Sequence, residues 1–136
     1  MRPGRKIILD TNIWISYIIG RKLDEIAKLI LAQDLIVYSC KELEEELKEV
    51  LSRDKFRKLL QYDPGIYLNY IQNLTISIPV YSHFEGCPDK KDNFLFDLAI
   101  QSKSDFIVTG DKLLLTIKVD KVDVVSFTHF RSLFSS

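Results

Sequence analysis

At 136 residues the chain is the size of one domain, and it can bury roughly two-thirds of its unfolded surface, so it needs no disulfide or structural metal to fold. Its 46% hydrophobic and 28% charged residues exclude a disordered or fibrous protein. Nineteen basic against 19 acidic residues exclude nucleic-acid binding by bulk positive charge, though not by a local basic strip.

The first element in chain order is a compact strand, Lys6-Ile7-Ile8-Leu9, which Asp10 ends. Arg2, Arg5 and Lys6 precede this apolar stretch, but Asp10 breaks it and no small-residue cleavage site follows, which predicts no signal peptide. A helix is expected from about Asn12, with Trp14 inside it, and another across Leu23 to Gln33. Leu35 to Ser39 reads as a second strand and Lys41 to Leu51 as an amphipathic helix. Helical pieces follow at Phe56–Leu60 and Ile66–Leu74. Ile76 to Tyr81 is a third strand candidate, and Pro79 puts it at a sheet edge or a strand end. An apolar helix, Asn93 to Ser102, leads to the strand Phe106-Ile107-Val108-Thr109, and Val122 to Phe127 reads as the last strand. Apolar strands separated by helices predict an α/β protein with a mostly parallel sheet covered on both faces. No linker, repeat or low-complexity tract interrupts the pattern, so residues 1–136 are expected to form one domain.

In parallel sheets, sites gather beyond the carboxyl ends of the strands. Asp10 follows the first strand directly, and Asp111 follows the fourth through Thr109 and Gly110. Asp92 precedes the helix that leads into the fourth strand, so topology alone does not bring it to the same place. On the Lys41–Leu51 helix the apolar stripe is Leu43, Leu47, Val50 and Leu51; Glu44 and Glu46 flank it, and periodicity does not choose between them. Each acid also has a simpler reading: Asp10 and Asp92 as helix caps, Asp111 as the start of a turn, either glutamate as a solvated flank. The apolar run ending in Asp nonetheless occurs twice. Two carboxylates about 4 Å apart repel by roughly 4 kcal/mol at an effective dielectric near 20, so a cluster of them calls for a cation. Hard oxygen donors suit Mg²⁺ or Mn²⁺, which share coordination with water and substrate phosphates. Cys40, Cys87, His83 and His129 show no zinc-ligand spacing, and no His, Ser or Cys is placed as a nucleophile.

Three segments together resemble the PIN domain family of nucleases, and within it the VapC-like toxin components of toxin–antitoxin systems. They are Lys6 to Asn12, Leu43 to Leu51, and the long ordered stretch from Cys87 to Lys112. The resemblance implies a three-layer α/β/α sandwich around a mostly parallel sheet and Mg²⁺- or Mn²⁺-dependent cleavage of RNA. It assigns the family's acids to Asp10, Glu46, Asp92 and Asp111, as catalytic residues and metal ligands. Asn12 and Thr109 match polar positions that hold water or orient a carboxylate; Asp97 matches a position often acidic, although more than one turn into the helix it could serve only the fold. Pro88 and Lys90 depart from the commonest local pattern and leave all four acids intact. A homodimer and a cognate antitoxin are expected by analogy, while the two unclustered cysteines and the lack of a membrane-length apolar run predict a reduced, cytoplasmic setting with no membrane association.

Arg53, Lys55, Arg57 and Lys58 form a dense basic patch, and Lys90, Lys91 and Lys112 flank two of the acids. They could track a nucleic-acid backbone or simply face solvent. With four acids committed to an ion, the rest of the chain is net basic. A haloacid-dehalogenase-like phosphatase would want a second Asp where Asn12 stands, and a nucleotide-binding fold would want a glycine-rich loop that is absent. The alternative within the same fold is a non-catalytic module that binds RNA or an antitoxin.

Overall fold

The structure is a computed structural model and describes residues 5–81, 84–87 and 89–134. Arg2, His83 and Pro88 fall outside these, as does the side chain of Lys90. Five parallel strands make one sheet: β1 (Arg5–Leu9), β2 (Leu35–Ser39), β3 (Ile76–Ser77), β4 (Phe106–Val108) and β5 (Asp123–Val125), in spatial order β3-β2-β1-β4-β5. The order grows leftward from β1 to β3, then jumps back to β4. The sheet's switch point therefore lies between β1 and β4, where ligands bind in such sheets. Leu9 pairs with Val108, which brings the residues after both strands level with each other.

Ile7, Ile8 and Leu9 are all buried, so both faces of β1 are covered, as an unbroken apolar strand requires. The helices make the outer layers of an α/β/α sandwich: α1 (Thr11–Ile19), α2 (Leu23–Ala32), α3 (Lys41–Leu51), α4 (Asp54–Arg57), α5 (Pro64–Leu74), α6 (Asn93–Ser102) and α7 (Phe127–Ser132). α6 packs across β1, β2 and β4, while α1 and α5 pack on α3. The α3 stripe buries Leu43, Leu47 and Leu51 completely, each stabilising the fold by about 1.5–3 kcal/mol. Val50 stays partly exposed. Trp14 is buried in the core.

Three elements differ from the sequence reading. The helical piece expected at Phe56–Leu60 starts two residues earlier, as α4, and ends at Arg57 with Lys58 as its cap. The third strand ends at Ser77, four residues short of Tyr81. Pro79 has no N–H to give a neighbouring strand, and the Gln101 side chain engages the local backbone instead, donating to Pro79 O and accepting from Tyr81 N. The last strand stops at Val125 because Ser126 caps a short helix, its Oγ accepting from His129 N at 3.1 Å. No helix among the described residues is long and apolar enough to cross a membrane.

Candidate active site

β1 delivers Asp10 to the switch point as the N-cap of α1. Its Oδ1 accepts the Thr11 N–H at 2.7 Å, and its backbone N–H donates to Val108 O across the β1–β4 pair at 2.9 Å. From the other strand Thr109 donates its hydroxyl to Asp10 Oδ2 at 2.7 Å, and Asn12 Nδ2 donates to the same oxygen at 3.3 Å. Asn12 Oδ1 accepts from Gly110 N at 3.1 Å, so one side chain ties the two strand ends together. The Asp111 N–H donates to Thr109 Oγ1 at 3.0 Å. Asp10, Asn12, Thr109 and Asp111 thus form one hydrogen-bonded unit, joined across 99 residues of sequence.

Asp10 is 5% exposed, and its carboxyl is pushed up to about 6. Burial is the main cause; repulsion from Glu46 and Asp92 adds to it, while the Thr109 and Thr11 hydrogen bonds oppose it. Asp92 is raised too, first by burial, then by Asp89, Glu46 and Asp111, with the Lys91 ammonium offsetting part. Asp10, Glu46 and Asp92 therefore repel one another, and Asp111 repels Asp92. Asp89 adds a fifth charge that the sequence reading did not single out; its only signal was its position three residues before Asp92.

The alternative readings separate. Glu44 is bound elsewhere: its Oε1 accepts from Gln72 Nε2 of α5 at 2.9 Å and its Oε2 from Ser39 Oγ at 3.4 Å. Glu46, on the other flank of the stripe, stands near Asp10 and Asp92. Asp92 occupies the N-cap position of α6 but makes no side-chain capping bond. Asp111 does begin a turn, its Oδ1 accepting from Leu113 N at 2.9 Å. Asp97 lies inside α6, buried, and its Oδ1 accepts the Phe84 N–H at 2.6 Å.

The basic residues divide likewise. Lys91 and Lys112 are exposed beside Asp92 and Asp111. Arg53, Lys55, Arg57 and Lys58 are exposed beyond the end of α3, with Arg53 roughly 10 Å along the chain axis from Glu46 if helical rise is continued. Arg53 is paired to Glu49 at 2.9 Å, and Lys55 lies over the Phe56 ring. Burial pushes both Cys40 and Cys87 up to about 11, so neither thiol supplies a thiolate.

Among the described residues no three acidic, imidazole or thiol groups stand close enough to enclose an ion by themselves. All the donors are hard oxygens, however, and Asp10 is a buried carboxylate repelled by two others. Thr11 Oγ1, next in sequence, is a buried hydroxyl without a partner among the described residues. Such a set suits a small divalent ion that keeps several waters and reaches some of the acids through them, not one that needs a closed protein cage.

The PIN domain profile matches residues 6–113, and the chain belongs to the PIN domain family. It is 29% identical over 121 residues to an uncharacterized protein of Methanocaldococcus jannaschii, MJ1680, covering 83% of this chain and 75% of that one. In fold it is similar to a chain in the crystal structure of VapBC2 from Rickettsia felis bound to a DNA fragment from their promoter. The TM-score is 0.59 at 14% identity, over 88% of this chain and 96% of that chain.

Proposed function

We propose that the protein is a divalent-metal-dependent endoribonuclease, a single PIN domain spanning residues 1–136, in which Asp10, Glu46, Asp92 and Asp111 hold Mg²⁺ or Mn²⁺. The observation that carries this reading is the buried, mutually repelling carboxylate at the sheet's switch point, raised to about 6 and cradled by Thr109 and Asn12. PIN domains are generally nucleases and typically use divalent metals, which agrees with that chemistry. A bound ion would supply a water of lowered pKa and neutralise charge developing on a phosphodiester. The chain's own part is positional. Thr109 and Thr11 fix both Asp10 oxygens, Asn12 locks the β1 and β4 ends together, and Lys91 and Lys112 offer cations to the neighbouring phosphates.

The toxin assignment, with a cognate antitoxin and a homodimer, rests on the motif resemblance to VapC-like proteins, and the cytoplasmic setting on the two unclustered cysteines. The second reading, a PIN-fold module that binds RNA or an antitoxin without turnover, keeps the same fold and the same acids. Incubation with an RNA panel in Mn²⁺ or in EDTA, beside Asp10→Asn, separates them. Cleavage that needs Mn²⁺ and vanishes in Asp10→Asn supports the nuclease. Ion binding without cleavage supports the module, and equal cleavage by Asp10→Asn refutes the mechanism.

A further inference from the structure

One face of α6 carries three polar side chains at positions i, i+4 and i+8: Asn93, Asp97 and Gln101. Each holds backbone of the segment that runs back along the helix toward Asp92. Asn93 Oδ1 accepts from Cys87 N at 3.0 Å, Asp97 Oδ1 from Phe84 N at 2.6 Å, and Gln101 engages Tyr81 N and Pro79 O. The rungs run in reverse order to the segment, so its described residues are laid antiparallel along the helix and cannot slide without breaking all of them. Packing reinforces the middle rung. The Phe84 ring stacks on Phe96 at 4.7 Å, and a Cβ at Gly86 would run into the Phe84 ring. Beyond Cys87 the segment delivers the Asp89–Asp92 turn, in which Asp92 N donates to Asp89 O at 3.0 Å.

We propose that this ladder sets where Asp92 stands relative to Asp10, so that Asp97 is a positioning residue acting through the segment and not an ion ligand. The proposal rests on the ion-binding reading of the site. It also explains how Asp92 reaches the switch point although no strand ends there. A carbonyl oxygen at position 97 serves the ladder as well as a carboxylate does, whereas an ion ligand needs the charge.

The test uses the full chain as parent, Asp97→Asn, Asp97→Ala and Gln101→Ala. Three readouts are followed: amide hydrogen exchange in EDTA, the thermal-melting shift on titration with Mn²⁺, and RNA cleavage. In Asp97→Ala, exchange at Phe84 and Cys87 should rise at least tenfold, and half-saturation by Mn²⁺ should rise about tenfold in melting and in cleavage, the usual effect of losing a residue that orients a ligand. Asp97→Asn should restore both to within about threefold of the parent. Gln101→Ala should loosen Tyr81 and Phe84 and shift half-saturation by a smaller, roughly threefold factor, which keeps the test open if Asp97→Ala does not fold. Asn behaving like Ala at position 97 would overturn the positioning role in favour of direct ligation. A loosened segment with unchanged Mn²⁺ half-saturation would overturn the link to the site while leaving the proposed nuclease standing. A parent that neither melts higher nor cleaves with Mn²⁺ would remove the ion-binding reading and this proposal together.

Discussion

Replacing Asp10 by Asn should stabilise the metal-free protein at neutral pH and remove its response to divalent ions. The Asp10 carboxyl is raised from 3.8 to about 6, chiefly by burial and then by Glu46 and Asp92. At 1.36 kcal/mol per unit this is a cost of about 3 kcal/mol for holding the charge in the folded state. The sign follows from linkage: between pH 4 and 6 the folded state binds more protons than the unfolded one, so stability falls as pH rises through that window. Below it the cost is absent; above it the cost is complete. Asparagine removes the charge and keeps an oxygen for the Thr11 N–H, but it cannot accept from both Thr109 and Asn12 as Oδ2 does. A loss of about 1 kcal/mol on that side leaves a net gain of roughly 1–2 kcal/mol at pH 7.5.

Urea unfolding in EDTA at pH 4.5 and pH 7.5 measures this most cleanly, because the pH-independent hydrogen-bond loss cancels. The stability difference between Asp10→Asn and parent should grow by about 2 kcal/mol from the lower pH to the higher, a midpoint change near 1 M urea. Adding Mn²⁺ at about a hundredfold over its dissociation constant should then raise the parent by roughly 2.7 kcal/mol and leave the variant near its EDTA value. Parallel stability curves for the two proteins across pH would refute the strained carboxylate. An equal Mn²⁺ response in both would refute its role in holding the ion.

Glu46→Gln should lower cleavage at least a hundredfold at fixed Mn²⁺. Glu44→Gln should leave cleavage intact and cost about 1 kcal/mol in urea, since it weakens the tie from α3 to Gln72 and Ser39. Gly86→Ala should destabilise by roughly 1–3 kcal/mol, because the new methyl forces the Phe84 ring off Phe96; an unchanged melting temperature would contradict the packing. Replacing Arg57 and Lys58 by Gln should weaken RNA binding across sequences and reduce its salt slope by about 0.7 per lost phosphate contact on a single strand. A slope unchanged from the parent would make the patch an ordinary solvated surface.

The sheet was legible because its centre is written in unbroken apolar runs, Ile7 to Leu9 and Phe106 to Val108, each ended by polar residues. Adjacent pairing of β1 and β4 is what lets Asp10 meet Thr109 and Asp111; the apolar runs predict parallel strands, but which strands lie side by side is set by tertiary packing. The edges were harder. β3 has two residues, both exposed, and β5 gives way to a helix at Ser126, so neither carries a long hydrophobic signal. Glu44 and Glu46 were indistinguishable by periodicity because what separates them is tertiary: Gln72 lies 28 residues from Glu44. Asp92 was equally opaque, since side chains of α6, and not a strand end, carry its segment.

Capping does not account for a charge at position 10. Asparagine caps a helix N-terminus about as well as aspartate, and α1 needs only one acceptor for the Thr11 N–H. The aspartate instead places a carboxylate in the core beside Glu46 and Asp92, against the general rule that buried charges are neutralised by a partner. Among the described residues its hydrogen-bond donors are all neutral: a threonine hydroxyl, an amide side chain and a backbone N–H. They orient the carboxylate without cancelling its charge. The basic residues that balance the sequence to zero stand elsewhere, with Lys91 only partly offsetting Asp92. A net charge of zero is therefore compatible with an intense local deficit of positive charge, which on the proposed reading a divalent cation from solution would meet.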